Sequence, residues 1–176
     1  MAVRNSYPEK PIIPFYVKKV EMGAIIAAIQ SVPYSVEVKR SAYIVVRNET
    51  LNGNDVICGT NLCGVQSDVG RWDAKYDSFI VATCQHKENK TGAMRGFVVF
   101  DTLAHCITLL CDKIIQKGIF IGEHVDGKYY KGDVTTPQQE ADAYEDEWVE
   151  GATVKADPTE VKDFVSMYNQ SVKLFV

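Results

Sequence analysis

Residues 102–116 constrain this chain more than any other stretch. Leu103, Cys106, Ile107, Leu110, Ile114 and Ile115 recur there at i, i+3 and i+4, the spacing of a helix with a broad apolar stripe. Asp101 stands where an N-cap belongs, and Gly118 where the helix would stop. Such a helix has to be covered by other elements, so the chain needs a core built around it. Its 176 residues are enough to bury well over half of the unfolded surface in one domain. Neither a metal nor a disulfide is needed for it to fold.

The flanking segments supply the cover. Pro8, Pro11 and Pro14 make residues 1–16 an extended arm that packs on its own domain or on a neighbour. Val20, Ala24, Ile25, Ala28 and Ile29 predict a first helix over 18–31, ended by Pro33. Ser35 is the expected N-cap of a second helix running to Glu49, with Asn52-Gly53 as its stop. The β-prone run 43–46 favours a strand locally, but the polar side formed by Lys39, Arg40, Arg47 and Asn48 favours the helix. Residues 51–77 read as loop with a short strand near 56–58, and 78–85 with 95–100 read as a hairpin around a turn at 88–92. After the core helix, 119–135 read as irregular. Thr136-Pro137 opens an acidic helix to about Val149, and Asp157-Pro158 opens a last one to about Lys173. The expected fold is therefore α+β, one domain over 17–176 with the arm at 1–16.

Several function classes are disfavoured. The formal net charge is −4 and the basic residues are scattered, which leaves no footprint for nucleic acid. The apolar runs 23–29 and 96–100 are too short to cross a bilayer, and no hydrophobic segment follows a basic start, so neither membrane insertion nor a secretion signal is expected. His86, His105 and His124 are isolated, and no nucleotide-binding, dinucleotide-binding or HExxH pattern occurs. No metal or cofactor is expected, and the neighbours His105 and Cys106 do not read as a nucleophilic dyad. The five cysteines read as buried thiols, with a bond between Cys58 and Cys63 as the alternative.

Glu49 stands out because it closes a helix just before a Gly-rich loop and a hairpin, a way of building one wall of a cleft. Apolar neighbours such as Val46 and the negative end of the helix dipole both favour a protonated carboxyl there, which suits a general acid. Around it run Asn48-Glu49-Thr50-Leu51-Asn52-Gly53, then Thr60-Asn61-Leu62-Cys63-Gly64-Val65-Gln66-Ser67-Asp68, Gly70-Arg71-Trp72, and later Arg95-Gly96-Phe97-Val98-Val99-Phe100-Asp101. In this order and spacing, over about residues 35–117, the chain resembles the lysozyme-like superfamily. The nearest match is to bacterial and phage glucosaminidases and peptidoglycan lytic glycosidases. In those proteins a helix ends in Glu-Ser/Thr, a loop close to Asn-Asn-Leu-Phe-Gly-Ile comes next, and a hairpin strand leads into the next helix. Here Glu-Thr-Leu-Asn-Gly replaces the commoner Glu-Ser-Gly, and Thr60 replaces the first Asn.

The resemblance implies a lysozyme-like α+β fold, with a mainly helical lobe and a small β-hairpin lobe flanking a cleft. It implies a hydrolase of the N-acetylglucosamine/N-acetylmuramic acid backbone of peptidoglycan. Glu49 would be the general acid and Asp68 the second carboxylate, with Asp55, Asp73 and Asp77 as rivals. Trp72 and Tyr130 would stack on sugar rings, while Asn61, Gln66 and Arg71 would bond hydroxyl and acetamido groups. Tyr144 and Trp148, on one face of the acidic helix, read instead as its anchor to the body. The enzyme is expected to remain in the producing cell until lysis or to travel with a virion. The alternative is a catalytically silent relative that binds glycan or serves in virion assembly, docking through the N-terminal arm.

Overall fold

The structure, a computed structural model, describes residues 9–67, 72–87, 92–117, 123–125, 129–131, 136–145, 148 and 156–176. Its centre is helix α3, Leu103–Lys117, on which Cys106, Ile107, Leu109, Leu110, Cys111 and Ile114 are all buried. Two sequence expectations for this helix are corrected. Thr102, not Asp101, is the N-cap: its Oγ1 accepts from the His105 amide at 3.1 Å, while the Asp101 carboxylate meets the His105 ring at 2.5 Å. Ile115 lies 49% exposed, because the buried arc is carried by the residues around it and position 115 turns outward.

Helices α1, Met22–Ser31, and α2, Val36–Glu49, pack on α3. Helix α1 begins later than its pattern suggested because Val17–Lys18 is drawn into a strand, β2, antiparallel to β3, Val56–Ile57. Ser35 caps α2, accepting from Val38 N at 3.5 Å. The run from Ser41 to Val46 is wholly buried, so the β-prone residues are helical because tertiary burial on every side overrides local propensity.

The sheet is small. Strand β4, Ile80–Lys87, pairs antiparallel with β5, Met94–Phe100, and the arm supplies β1, Ile12–Ile13, parallel to β4. The described part of the arm thus packs on its own domain. Segment 65–67 runs along the other edge of β5, with Val98 N bonding Val65 O at 3.0 Å and Ser67 N bonding Gly96 O at 2.9 Å. The 119–135 stretch, expected to be irregular, contains an antiparallel pair, β6 Glu123–Val125 with β7 Tyr129–Lys131.

Helix α4, Pro137–Tyr144, opens on a Thr136/Gln139 capping box, and α5, Pro158–Leu174, packs against both α4 and α2. The chain is a mixed α+β protein. No helix among the described residues is long and apolar enough to cross a membrane.

Candidate functional site: a helix-terminal carboxylate and a Trp-lined cavity

Glu49 is the last residue of α2 and is exposed. The turn beyond it is fixed by three consecutive left-handed residues, Leu51 (φ 48°), Asn52 (φ 60°) and Gly53 (φ 82°). The helix carbonyls are closed off by Thr50 N on Val46 O at 3.0 Å and Asn52 N on Arg47 O at 2.9 Å. The turn is then tied to the N-terminal segment: Val20 N donates to Gly53 O at 2.8 Å, and a Cβ at Gly53 would stand 2.3 Å from Val20 O. Two non-glycine residues in the left-handed region are a local strain, sustained here by the surrounding bonds. Together they hold the end of α2, and so the Glu49 carboxylate, in one place.

One oxygen of that carboxylate is held from outside the helix. Tyr144 donates its hydroxyl to Glu49 Oε1 at 2.8 Å, and Trp148 donates its indole Nε1 to the same oxygen at 3.0 Å. Tyr144 is buried and packs its ring 5.5 Å from that of Phe164 on α5. Burial, and then the adjoining Glu49 carboxylate, push its phenol well above the usual range, so it stays a donor. Tyr144 and Trp148 do anchor their segment to the body, but the sequence did not reveal that the anchor point is Glu49. The available signal was two side-chain donors spaced i, i+4 on an otherwise acidic helix.

The other expected site residues divide. Asp68 and Arg71 lie outside the described residues, as does the side chain of Tyr130, whose backbone belongs to β7. Asn61 is corrected from ligand contact to loop support. It is 1% exposed, with its amide nitrogen on Val65 O at 2.9 Å and Val98 O at 3.0 Å, and its oxygen taking Val65 N at 2.9 Å. Thr60, where the sequence departs from the resemblance, accepts from Phe100 N at 3.2 Å. Gln66 is half-buried at the edge of β5, opposite Phe97. Of the rival carboxylates, Asp73 caps the 3-10 helix Ala74–Phe79, Asp77 pairs with Lys10 at 3.1 Å, and Asp55 is exposed in the turn before β3.

Trp72 is half-buried, with its Nε1 on Asp77 Oδ1 at 3.4 Å, and it lines an open cavity of about 570 Å³ with Tyr76, Asp112, Lys113 and Gln116. Asp112 went unnoticed in the sequence because it sits within the apolar run of α3. Its carboxylate collects Tyr34 Oη at 2.7 Å, Lys75 Nζ at 2.8 Å and Tyr76 Oη at 2.6 Å. Burial opposes the charge, but the three bonds outweigh it and hold the carboxyl below the usual carboxylate range. Burial and this carboxylate push the Tyr76 phenol up to about 12. The Cys63 thiol is buried against Cys106, and that contact and burial push it well above the usual thiol range.

His105 is stacked on Phe79, ring centroids 3.9 Å apart, and bonded to Asp101, while the Cys106 sulfur accepts from Leu62 N at 3.3 Å. The two neighbours do not form a dyad. No protein family, curated protein or solved structure matches the chain in comparison, so the functional reading rests on this geometry.

Proposed function

We propose that the chain is a lysozyme-like glycoside hydrolase acting on the N-acetylglucosamine/N-acetylmuramic acid backbone of peptidoglycan, with Glu49 as its general acid. The observation that carries this reading is the Glu49 carboxyl itself, exposed at a helix end with one oxygen fixed by two neutral donors. Protonated on Oε2, such a group presents its proton to a glycosidic oxygen while Oε1 is held. As the proton leaves, the charge that develops on the carboxylate meets donors already in position, which is electrostatic preorganisation of an acid. The chain order of helix, Glu, loop, hairpin and core helix supports the same reading.

In this reading the Trp72 cavity is a saccharide wall: an indole face for the apolar side of a sugar ring, with Asp112, Lys113 and Gln116 for its hydroxyls. Asp68 is the proposed partner carboxylate and, with Arg71 and Tyr130, completes the proposed cleft. The enzyme would reach its substrate at cell lysis or as part of a virion.

Purified peptidoglycan incubated with the wild-type protein should release soluble muropeptides, whose masses name the bond cut and distinguish a reducing end from an anhydro-sugar. Absence of release from walls that a standard lysozyme digests would count against the proposal. A second reading has one specific observation behind it: the same two bonds to Glu49 clamp Tyr144, at the end of α4, and Trp148 beyond it to α2, so a silent glycan-binding relative would keep them for stability. That protein would bind walls without releasing fragments.

A further inference from the structure

We propose that the chain carries two disulfide sites, Cys58 with Cys84 and Cys63 with Cys106, which staple the loop 58–63 at both of its ends. All five cysteines are free and buried. Four of them stand in facing pairs, Cys58 Sγ 3.2 Å from Cys84 Sγ and Cys63 Sγ 4.0 Å from Cys106 Sγ. The pairs lie in different places. Cys58 and Cys84 share a small cluster with Ala82 and Val99, whereas Cys63, Cys106 and Cys111 belong to the main core. The sulfurs of Cys58 and Cys63 therefore face opposite sides of their loop, and the sequence-neighbour bond between them is replaced by two long-range ones. Cys58 also sits at φ 48°, one of three non-glycine residues with positive φ among the described residues, with Tyr16 O accepting its amide at 2.8 Å and Tyr16 Oη donating to its carbonyl at 3.1 Å. Its strained backbone is thus locked beside Cys84.

The consequences are specific. A bond from Cys58 to Cys84 joins the turn after β3 to β4 across 26 residues, and one from Cys63 to Cys106 joins the loop to α3 across 43. Between them lies Asn61, the residue that sets segment 65–67 on β5. Each bond forms by exchange with a low-molecular-weight disulfide oxidant. One cysteine thiolate attacks the oxidant and releases one thiol; its partner's thiolate then attacks the mixed disulfide and releases the second. Two protons leave the protein and two electrons reduce the oxidant. Burial and the facing Cys58 push the Cys84 thiol up to about 12, so the folded, reduced protein reacts slowly and the staples form as the chain folds. Cys111 remains a thiol, which accounts for the odd count.

The full chain, reduced and unfolded, is refolded in a glutathione thiol/disulfide buffer, quenched, alkylated in denaturant and weighed, with circular dichroism as the check on folding. The expected product has lost about 4 Da before alkylation, takes one alkyl group, on Cys111, and melts about 10 °C above the reduced protein. Its unreduced peptide map links Cys58 to Cys84 and Cys63 to Cys106. In Cys84→Ser the second link should persist, and in Cys106→Ser the first. A link between Cys58 and Cys63, fewer than two links at equilibrium, or loss of fold on oxidation overturns the proposal. None of these outcomes depends on whether the cleft cuts glycan.

Discussion

A carboxyl that is 1% exposed, like that of Glu140, ionises only against a large desolvation penalty. Glu140 lies one turn before Tyr144 on α4 and faces Ser41 of α2, whose hydroxyl favours the charged form without a well-aligned bond; Oε2 of the acid and Oγ of the serine are both unpartnered. Burial raises this carboxyl from an ordinary 4.5 to about 7. The folded state therefore holds its proton where the unfolded chain has lost it, so stability falls as pH rises from about 4.5 to 7 and levels off above. Glu140→Gln should remove that fall and stabilise the protein at pH 8 by on the order of 2–3 kcal/mol, read as urea midpoints at pH 5 and pH 8. An equal fall in both proteins would contradict it. At the neighbouring position, Tyr144→Phe keeps the ring on Phe164 but removes a donor from Glu49. It should lower turnover about tenfold or more while costing only about 1 kcal/mol of stability. A loss of stability without a loss of turnover would make the contact a clamp only. The place of Glu49 at the end of α2 was legible in the sequence, because Ser35 and Asn52-Gly53 mark where that helix starts and stops. The partners of Glu49 were not, since they lie 95 and 99 residues away and nothing local marks that pairing.

Among the elements, the long helices were legible because burial imposes a 3.6-residue period on them. The two- and three-residue strands were not, because such lengths carry no period at all. Residues 12–13 and 17–18 become β1 and β2 only because β4 and β3 offer them unpaired edges. The same limit explains Asn61, whose polar side chain in a Gly-rich loop looks like a ligand contact until the paired backbone around it is known. The turn after α2 was legible through Asn52-Gly53, and its tightness can be tested there. Gly53→Ala would force a Cβ to within 2.3 Å of a carbonyl oxygen at φ 82°. A loss of about 3 kcal/mol or more is expected in denaturant melts, with Glu49 displaced and turnover reduced. A variant with wild-type stability would mean that the turn does not hold the acid.

At the scale of the whole molecule, the described structure carries a helix-end acid at the close of α2 and a polar, Trp-lined cavity along α3. In the proposed reading, the indole of Trp72 and the polar rim of that cavity form a saccharide wall. Trp72→Ala should therefore weaken binding of N-acetylglucosamine oligomers about tenfold, followed by calorimetry, and leave the melting temperature within a few degrees. Unchanged affinity would remove the cavity from the binding surface. The general α+β layout was legible in element order alone. The cavity was not, because Tyr34, Lys75, Tyr76 and Asp112 converge only once α3 is packed.

The most direct test of Glu49 as the general acid is muropeptide release by Glu49→Gln beside wild type, with both shown by circular dichroism to be folded. A glutamine keeps an oxygen for Tyr144 and Trp148 but has no proton to give. Release is expected from the wild type, and none above background from a folded Glu49→Gln. Equal release by the two proteins would take the acid role away from Glu49.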